Sequence, residues 1–330
     1  LGDTEGLAQA LDAALKLEPQ NVRALLMRGD IFAEVGDRRA AVSFYGAALG
    51  LVPDTDGLPP EAVAEIDRVR GARDRLNDSL HADLTRGLIS RGYDPATASP
   101  RFNESLELLS GRKTRYIQEP RSYFFPGLPT IQFYPREDFP WLDAIEAASG
   151  DILAELAALM ADGPHIFAPY VEAEANRPAT EADLLENDDW SACYLWRDGA
   201  PVPDIAARCP KTMAALEHAP LERIAGRSPF ALFSKLTPGA VIAPHTGFHN
   251  SRLVCHLPLI APKGCWFRVG NETRTWETGK AFVFDDTIEH EARNDSDQTR
   301  IVLIFNIWRP ELTEAERGLV AGLMEGIAGL

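Results

Sequence analysis

Two histidines have surroundings that suit a metal site. His245 ends a β-type run and is followed by Thr246 and Gly247, and His290 comes 45 residues later, after an acidic stretch. Imidazoles at the ends of neighbouring strands can meet at the open mouth of a β-sandwich and bind a divalent metal with coordination positions left free. An ordinary hydrogen-bonded or surface role is the alternative for each, and spacing alone leaves both open.

A helical zinc-protease site is a poor interpretation of the same region. His245 and His249 have the H-x-x-x-H spacing of such sites, but no Glu follows His245. Pro244 and Gly247 also disfavour a helix here. This class of metalloenzyme is therefore set aside.

A third candidate is Arg300, which lies ten residues after His290 and begins an apolar strand-like run, 301–305. A half-buried guanidinium needs an anionic partner, and its planar fork suits a carboxylate. That carboxylate can belong to a ligand or to an Asp or Glu of the protein, and the second role is the more common one.

Short β-type runs separated by turn residues must position these side chains, and they predict a sandwich or barrel beyond Trp190. The turns carry Pro and Gly, as in Thr237-Pro238-Gly239. Thr313 and Glu316 have the spacing of a capping box and predict a final helix. The predicted strands are 191–196, 230–236, 241–244, 252–259, 266–269, 274–276, 281–284 and 301–308.

The front of the chain, residues 1–92, has the pattern of a helical repeat. Leu17-Glu18-Pro19 recurs as Leu51-Val52-Pro53, an offset of 34 residues, which is the tetratricopeptide (TPR) period. The pattern predicts a TPR-like helical domain, which is either a partner-binding surface or a scaffold. The positions that match the repeat's interhelix packing residues are Leu25, Gly29, Phe32, Ala41, Tyr45, Ala48 and Pro53.

Residues 93–140 are rich in Pro, Gly and aromatic residues and predict an extended linker. The remaining residues, 141–330, then form one domain, with helices near its start and the β-rich part after them. We therefore predict the boundaries 1–92, 93–140 and 141–330.

Composition limits the class of protein. With 330 residues, 33 Lys and Arg, 49 Asp and Glu and a formal charge of −16, the chain is folded and acidic, which disfavours nucleic acid or anionic lipid as a partner. No apolar run reaches the roughly 18–20 residues of a transmembrane helix. Four cysteines without a C-x-x-C pair favour reduced thiols and a cytoplasmic location. The chain begins with Leu1, so we expect that a leader, an anchor or further repeats can lie upstream.

The second domain resembles the aspartyl/asparaginyl β-hydroxylases, densely over about 188–317 and more loosely over the helical repeat. The resemblance implies an α+β fold, with the TPR-like region followed by a double-stranded β-helix (jelly-roll or cupin-like) oxygenase domain and flanking helices. It also implies Fe(II), 2-oxoglutarate and O2 as cofactor and cosubstrates. The matching motifs are His245-Thr246-Gly247, Asn250-Ser251-Arg252, His256-Leu257, Asn271-Glu272-Thr273-Arg274-Thr275-Trp276, Phe284-Asp285-Asp286, Glu289-His290-Glu291, Arg300 and Trp308-Arg309-Pro310-Glu311-Leu312-Thr313.

Carried onto this chain, the resemblance implies that His245 and His290 bind iron. Many 2-oxoglutarate oxygenases add a carboxylate two residues after the first histidine, but this chain has Gly247 there. The resemblance implies that water fills the vacant position. A nearby carboxylate is then expected on physical grounds, and Asp286 is the candidate to hold that water, with a turn-capping role as its alternative.

For the cosubstrate, the resemblance implies that Arg300 and Ser234 bind the distal carboxylate of 2-oxoglutarate and that His256 contacts the carboxylate nearer the metal. His256 shares its strand face with Arg252 and Val254. The family's animal members lead us to expect a basic residue at Val254, so contacts to an acidic ligand are reduced here. Arg252 remains a candidate for a substrate carboxylate, with an ordinary interstrand role as its alternative.

The implied activity is hydroxylation of the β-carbon of an Asp or Asn residue in a polypeptide, with release of succinate and CO2. The helical repeats would form one wall of the peptide groove. Three alternatives remain: hydroxylation of a fatty acyl chain or lipid, a non-catalytic TPR–cupin binding protein, and a non-oxidative cupin enzyme. Gly247 is the residue that most favours a binding protein.

Overall fold

The computed structural model describes residues 4–55, 57–170 and 187–328. The chain divides into two compact units, Leu1–Arg115 and Tyr116–Leu330. None of the helices within the described ranges is long and apolar enough to cross a lipid bilayer.

The first unit consists of helices whose starts are set by local side chains. Asn21, Asp37 and Ser99 each accept a hydrogen bond from the backbone N–H three residues later, which satisfies a donor that the helix leaves unpaired. The helices are α1 (Thr4–Leu17), α2 (Val22–Glu34), α3 (Arg38–Gly50), α4 (Pro60–Ile89) and α5 (Pro100–Leu109).

Helices α2 and α3 pack closely because Gly29 leaves room for the ring of Tyr45. A Cβ atom at Gly29 would lie 2.5 Å from that ring, well inside van der Waals contact. The Tyr45 hydroxyl donates to Asp30, so the buried ring keeps a polar partner. Helices lie where the sequence predicts them over residues 4–89, and the assignment to the TPR family stays a prediction.

The segment 93–140 differs from a fully extended linker, because α5 lies within it. Ser99 caps this helix and Pro100 occupies its first turn, where a missing N–H costs nothing. The Gly and Pro residues around it hide this short signal in the sequence. Beyond α5 the segment is mostly irregular and hydrogen-bonds to loops of the second unit, in which it lies from Tyr116 onward.

The second unit combines helices with two β-sheets. The capping box that predicts its final helix is present: the Thr313 N–H donates to Glu316 and the Glu316 N–H donates to the Thr313 hydroxyl. The helices are α6 (Leu142–Ala147), α7 (Ser149–Met160), α8 (Pro203–Arg208), α9 (Pro210–Leu216) and α10 (Glu314–Ala328), with short 3-10 turns at Arg136–Asp138 and Pro164–Ile166.

From residue 231 onward the chain passes back and forth between two sheets, apart from one hairpin whose two strands lie in the same sheet. One sheet has the order β1-β2-β4-β11-β6-β9, with β3 paired to β2, and the other has the order β5-β10-β7-β8. The strands are β1 (Ala168–Pro169), β2 (Trp190–Arg197), β3 (Ala200–Pro201), β4 (Ala231–Leu236), β5 (Val241–His245), β6 (Arg252–Ile260), β7 (Cys265–Val269), β8 (Glu272–Thr275), β9 (Phe282–Phe284), β10 (His290–Asn294) and β11 (Arg300–Trp308).

Strand β6 has two faces, as the sequence predicts. Leu253, Cys255 and Leu257 join the larger apolar core, which also contains residues of α6, α7 and α9. Val254 joins a separate cluster with residues of both sheets, and the His256 ring contacts Phe267 and Phe284 of that same cluster. Both faces of the strand are therefore buried, and one of them lines the interior between the sheets.

The structure adds one strand near the site, β10, that the sequence analysis does not predict. Its residues have none of the β-branched or aromatic side chains that mark a strand, and only an alternation of burial identifies it. Pairing with β5 on one side and β7 on the other keeps it in the sheet. This strand brings His290 directly opposite His245.

Candidate functional site

The two candidate metal ligands are neighbours in space. His245 ends β5 and His290 begins β10, and the antiparallel register places them as a pair. Their ring centroids lie 4.1 Å apart, and His290 is 7% exposed. The structure thus brings together two imidazoles separated by 45 residues of sequence.

Both rings are held in the same tautomer. Nδ1 of His245 lies 2.8 Å from the Ala243 carbonyl oxygen, and Nδ1 of His290 lies 3.0 Å from that of Ile288. A carbonyl only accepts, so each Nδ1 carries the hydrogen and each Nε2 keeps its lone pair for a metal. Burial, and then the nearby His245, hold the pKa of His290 well below its usual value, so it is neutral at pH 7.

The Asp286 carboxylate lies where a side chain at position 247 would extend. A Cβ atom built on Gly247 would be 2.1 Å from Asp286 Oδ2. The Gly247 N–H also donates to the Asp286 carbonyl oxygen at 2.6 Å. Absence of a side chain at Gly247 therefore makes room for a carboxylate that comes from another loop.

Arg252 pairs with that carboxylate. Its Nη2 lies 3.0 Å from Asp286 Oδ2, and its guanidinium lies over the Phe230 ring at 5.0 Å. Burial raises the pKa of Asp286, and the Arg252 charge opposes that rise. Among the described residues, neither Arg252 Nε nor Asp286 Oδ1 has a hydrogen-bond partner, so each can still bind something else.

Arg300 is the most buried cation of the site, with 1% of its surface exposed. Its Nη1 lies 3.3 Å from both the carbonyl oxygen and the hydroxyl of Ser234, and its guanidinium lies over the Trp276 ring at 4.8 Å. No carboxylate pairs with it in the part of the chain that the structure describes, and its Nε has no hydrogen-bond partner there. Burial lowers the pKa of Arg300 to about 10, so the group is still charged at pH 7.

His256 is fixed beside Arg300 by the same tryptophan. Trp276 Nε1 lies 3.4 Å from His256 Nδ1, and because an indole N–H only donates, His256 Nε2 carries the hydrogen. Burial, and then the charge of Arg300, hold the pKa of His256 well below its usual value. The neutral ring is therefore a donor through Nε2.

Aromatic rings join the histidine pair to the Arg300 cluster. The Phe284 ring lies 4.8 Å from His256 and 5.7 Å from His290, and Phe267 contacts the same two rings. Trp190 Nε1 donates to the Ser234 hydroxyl at 3.2 Å. Every site residue predicted from sequence thus lies in this interior or on its edge, whereas Trp190 and Trp276 have no role predicted from sequence.

Comparison with known proteins identifies the family. Residues 146–310 match the family model described as Aspartyl/Asparaginyl beta-hydroxylase. The chain belongs to this family. The sequence resemblance to these hydroxylases is thereby confirmed, and the match contains the histidine pair, Arg252 and Arg300.

Relatives of this beta-hydroxylase family member cover most of its length. The aspartyl/asparaginyl beta-hydroxylases of Mus musculus and Homo sapiens are 42% and 28% identical over 96% of this chain. The chain spans 43% and 42% of those two proteins, less than half of each. An ornithine lipid ester-linked acyl 2-hydroxylase of Rhizobium tropici is 32% identical over 56% of this chain and 62% of its own.

Within the described residues of this family member, no group of three or more His, Cys, Asp and Glu side chains is arranged to hold a metal ion. The two histidines nonetheless fit one, because each Nδ1 donates to a backbone carbonyl, which leaves Nε2 as the nitrogen with the lone pair, and their rings adjoin. Asp286 lies close enough to His245 for the histidine to affect the pKa of that carboxyl. The donor set is thus two imidazoles with a carboxylate beside them.

A buried ion pair connects the loops that carry this site. Arg309 and Asp285 have no exposed surface and lie 3.0 Å apart. Arg309 also donates to the carbonyl oxygens of Asn250 and Pro129. Asp285 accepts from the N–H and hydroxyl of Thr287, in the turn that leads to His290. The pair therefore joins the loop that follows His245 to the turn that precedes His290.

Arg309→Met is expected to lower the free energy of unfolding by about 3–5 kcal/mol, because it leaves the Asp285 charge buried without its cation. Urea denaturation of the full chain measures this loss. Arg223→Met is the matched control, since its pair with Glu217 is about half exposed and contributes about 0–1 kcal/mol. A loss below 1 kcal/mol for Arg309→Met would show that this ion pair is not needed.

Proposed function

We propose that this chain is an Fe(II)- and 2-oxoglutarate-dependent dioxygenase that hydroxylates the β-carbon of an Asp or Asn residue in a polypeptide. In this reaction 2-oxoglutarate would be converted to succinate and CO2. Membership of a hydroxylase family supports the reaction class. The observation that carries the cosubstrate assignment is Arg300, a buried guanidinium with no carboxylate partner among the described residues.

The iron would be held by His245 and His290 through Nε2. Iron bound there supplies the activation of O2 and the oxidative decarboxylation of the 2-oxo acid. Asp286 would accept a hydrogen bond from water at the position that Gly247 leaves without a ligand. Its free Oδ1 supports this role, and its pairing with Arg252 keeps the carboxylate in place.

The 2-oxoglutarate would bind in the interior between the sheets. Arg300 and the Ser234 hydroxyl would hold the distal carboxylate, since a buried cation without a carboxylate partner is stabilised by an anion. His256 would donate from Nε2 to the carboxylate nearer the metal. The aromatic rings around these groups would exclude water and so strengthen each contact.

The strand order supports the double-stranded β-helix interpretation. From β4 to β11 the chain passes back and forth between two antiparallel sheets, in the orders β4-β11-β6-β9 and β5-β10-β7-β8, with only the β7–β8 hairpin remaining within one sheet, as in a jelly roll. Residues 1–92 are proposed to be a TPR-like domain that contributes to peptide binding. Four free, buried cysteines support a cytoplasmic location.

Two observations support the substrate assignment. One is the similarity to aspartyl/asparaginyl beta-hydroxylases; the other is the position of Arg252. This guanidinium has a free Nε and lies beside the Asp286 carboxylate near the metal ligands, where it can bind a substrate carboxylate. The acyl hydroxylase of Rhizobium tropici favours a second candidate, hydroxylation of a lipid acyl chain. Mass spectrometry of peptide and acyl substrates for a gain of one oxygen atom separates the two.

Arg300→Lys tests the cosubstrate site. The change keeps the charge but removes the fork that binds a carboxylate through two hydrogen bonds, so the KM for 2-oxoglutarate is expected to rise about tenfold to a hundredfold. Succinate formation at varied 2-oxoglutarate measures it. Arg293→Lys, about half exposed on β10, is the control and should leave the KM unchanged. An unchanged KM for Arg300→Lys would reject this site.

A further inference from the structure

We propose that Glu222 sets the preference of this site between an anionic and a neutral substrate side chain, by adding or withholding a negative charge beside Arg252. The inference rests on the proposed function, in which Arg252 faces the Asp or Asn to be hydroxylated. It goes beyond that function by naming a residue, outside the metal and cosubstrate sites, that distinguishes the two substrates.

Glu222 has an unusual position for a carboxyl group. It lies in the loop between α9 and β4, with no exposed surface. One oxygen accepts a hydrogen bond from the Asn306 side chain of β11. The other, Oε1, has no hydrogen-bond partner among the described residues and lies 3.7 Å from His249 Nδ1. The Ser228 hydroxyl also lies close enough to lower the pKa of this carboxyl.

The charged groups that act on Glu222 come from several elements. Arg252 of β6 attracts it, and Asp286, in the turn before β10, repels it. His249 lies nearest, but burial and the positive charges of Arg252 and Arg227 hold its pKa well below the usual value, so it is neutral. Arg252 is thus the cation that Glu222 and Asp286 share.

The charge of this cluster changes with the state of Glu222. With Arg252 and Asp286 as an ion pair, the cluster is neutral when Glu222 is protonated and has one negative charge when it is ionised. Burial raises the pKa of Glu222 to about 7, and Arg252 and hydrogen bonds oppose that rise. Near neutral pH both states are therefore populated.

A substrate carboxylate at Arg252 would feel this difference, whereas a substrate carboxamide would not. Below pH 7 the cluster is neutral and Arg252 can pair with a second carboxylate. Above pH 7 the ionised Glu222 repels that carboxylate across a low-dielectric interior, which is expected to weaken binding about tenfold. A substrate Asp, with an ordinary pKa of about 3.9, stays ionised throughout this range.

The test uses two fluorescent peptides that differ only in a central Asp or Asn, with the full chain, Fe(II) and 2-oxoglutarate under nitrogen. Dissociation constants are measured by anisotropy between pH 6 and pH 8. In the wild-type protein the affinity of the Asp peptide relative to the Asn peptide is expected to fall about tenfold as pH rises. In Glu222→Gln the ratio should stay at its pH 6 value throughout.

Glu217→Gln, an exposed residue five positions earlier, is the control and should behave as the wild type. A ratio that does not change with pH in the wild type overturns the inference, even if Glu222→Gln fails to fold. A change of equal size in folded Glu222→Gln also overturns it. If the Asn peptide still binds under nitrogen and gains an oxygen atom once O2 is admitted, the proposed function stands; if neither peptide binds under nitrogen nor gains oxygen with O2 present, both fall together.

Discussion

Replacing His290 with alanine is expected to abolish succinate formation, to below about one per cent of the wild-type rate, and to abolish tight iron binding. The site offers two imidazole ligands, so losing one leaves a single protein ligand for the metal. His290 is buried and in the tautomer that leaves Nε2 free, and no other histidine that the structure describes pairs with His245 in the sheet. Iron titration and succinate formation, measured on the same preparation, check both expectations.

His218→Ala is the control for this variant, because the residue is exposed and is not among the proposed ligands. It should keep both the iron affinity and the rate. If His290→Ala binds iron as the wild type does, the metal lies elsewhere. If the variant binds no iron but still forms succinate, the proposal that succinate formation requires iron at this histidine pair is wrong.

The parts of the site that follow from sequence are those set by short-range patterns. The two faces of β6 follow from strict alternation, which places His256 with Val254 and away from Leu257. The start of α10 follows from a capping box that spans four residues, Thr313 to Glu316. Arg300 at the start of an apolar run predicts a half-buried guanidinium, and the structure buries it further, to 1% exposure.

Other parts depend on contacts that sequence spacing does not show. Strand β10 forms because its neighbours β5 and β7 supply its hydrogen bonds, although its own residues have weak strand propensity. The contacts of Trp276 with Arg300 and His256 need the residue after β8 to meet side chains of β11 and β6. Glu222 gives no signal at all, since a lone Glu in a loop ordinarily predicts exposure.

The charge distribution resolves an apparent conflict in the sequence. A net charge of −16 disfavours binding of anions over the surface as a whole. The two cations of the site, Arg252 and Arg300, are buried, where water screens them least. Each also has a free Nε among the described residues. Local attraction at short range can therefore exceed the repulsion from a distant, salt-screened surface.

Gly247→Ala is expected to weaken iron binding at least about tenfold and to lower the free energy of unfolding by about 1–3 kcal/mol. The cause is contact rather than backbone strain, because the added Cβ would lie 2.1 Å from Asp286 Oδ2. Asp286 cannot move away freely, since Arg252 holds the same oxygen. Iron titration and urea denaturation measure the two effects. Gly150→Ala is the control, because a Cβ there meets open space.

The double variant Gly247→Asp with Asp286→Ala distinguishes two effects: collision of a side chain at position 247 with Asp286, and removal of the carboxylate from the metal site. It removes the group that the new side chain would strike and returns one carboxylate to the histidine pair, now from the position used by the H-x-D pattern. We expect it to bind iron more tightly than either single variant, with Arg252 again beside an anion. If Asp286→Ala alone binds iron as tightly as the wild type, the carboxylate has no part in the metal site. In that case Gly247 serves only to leave room for Asp286. The ion pair of Asp286 with Arg252 then contributes to substrate binding rather than to iron binding.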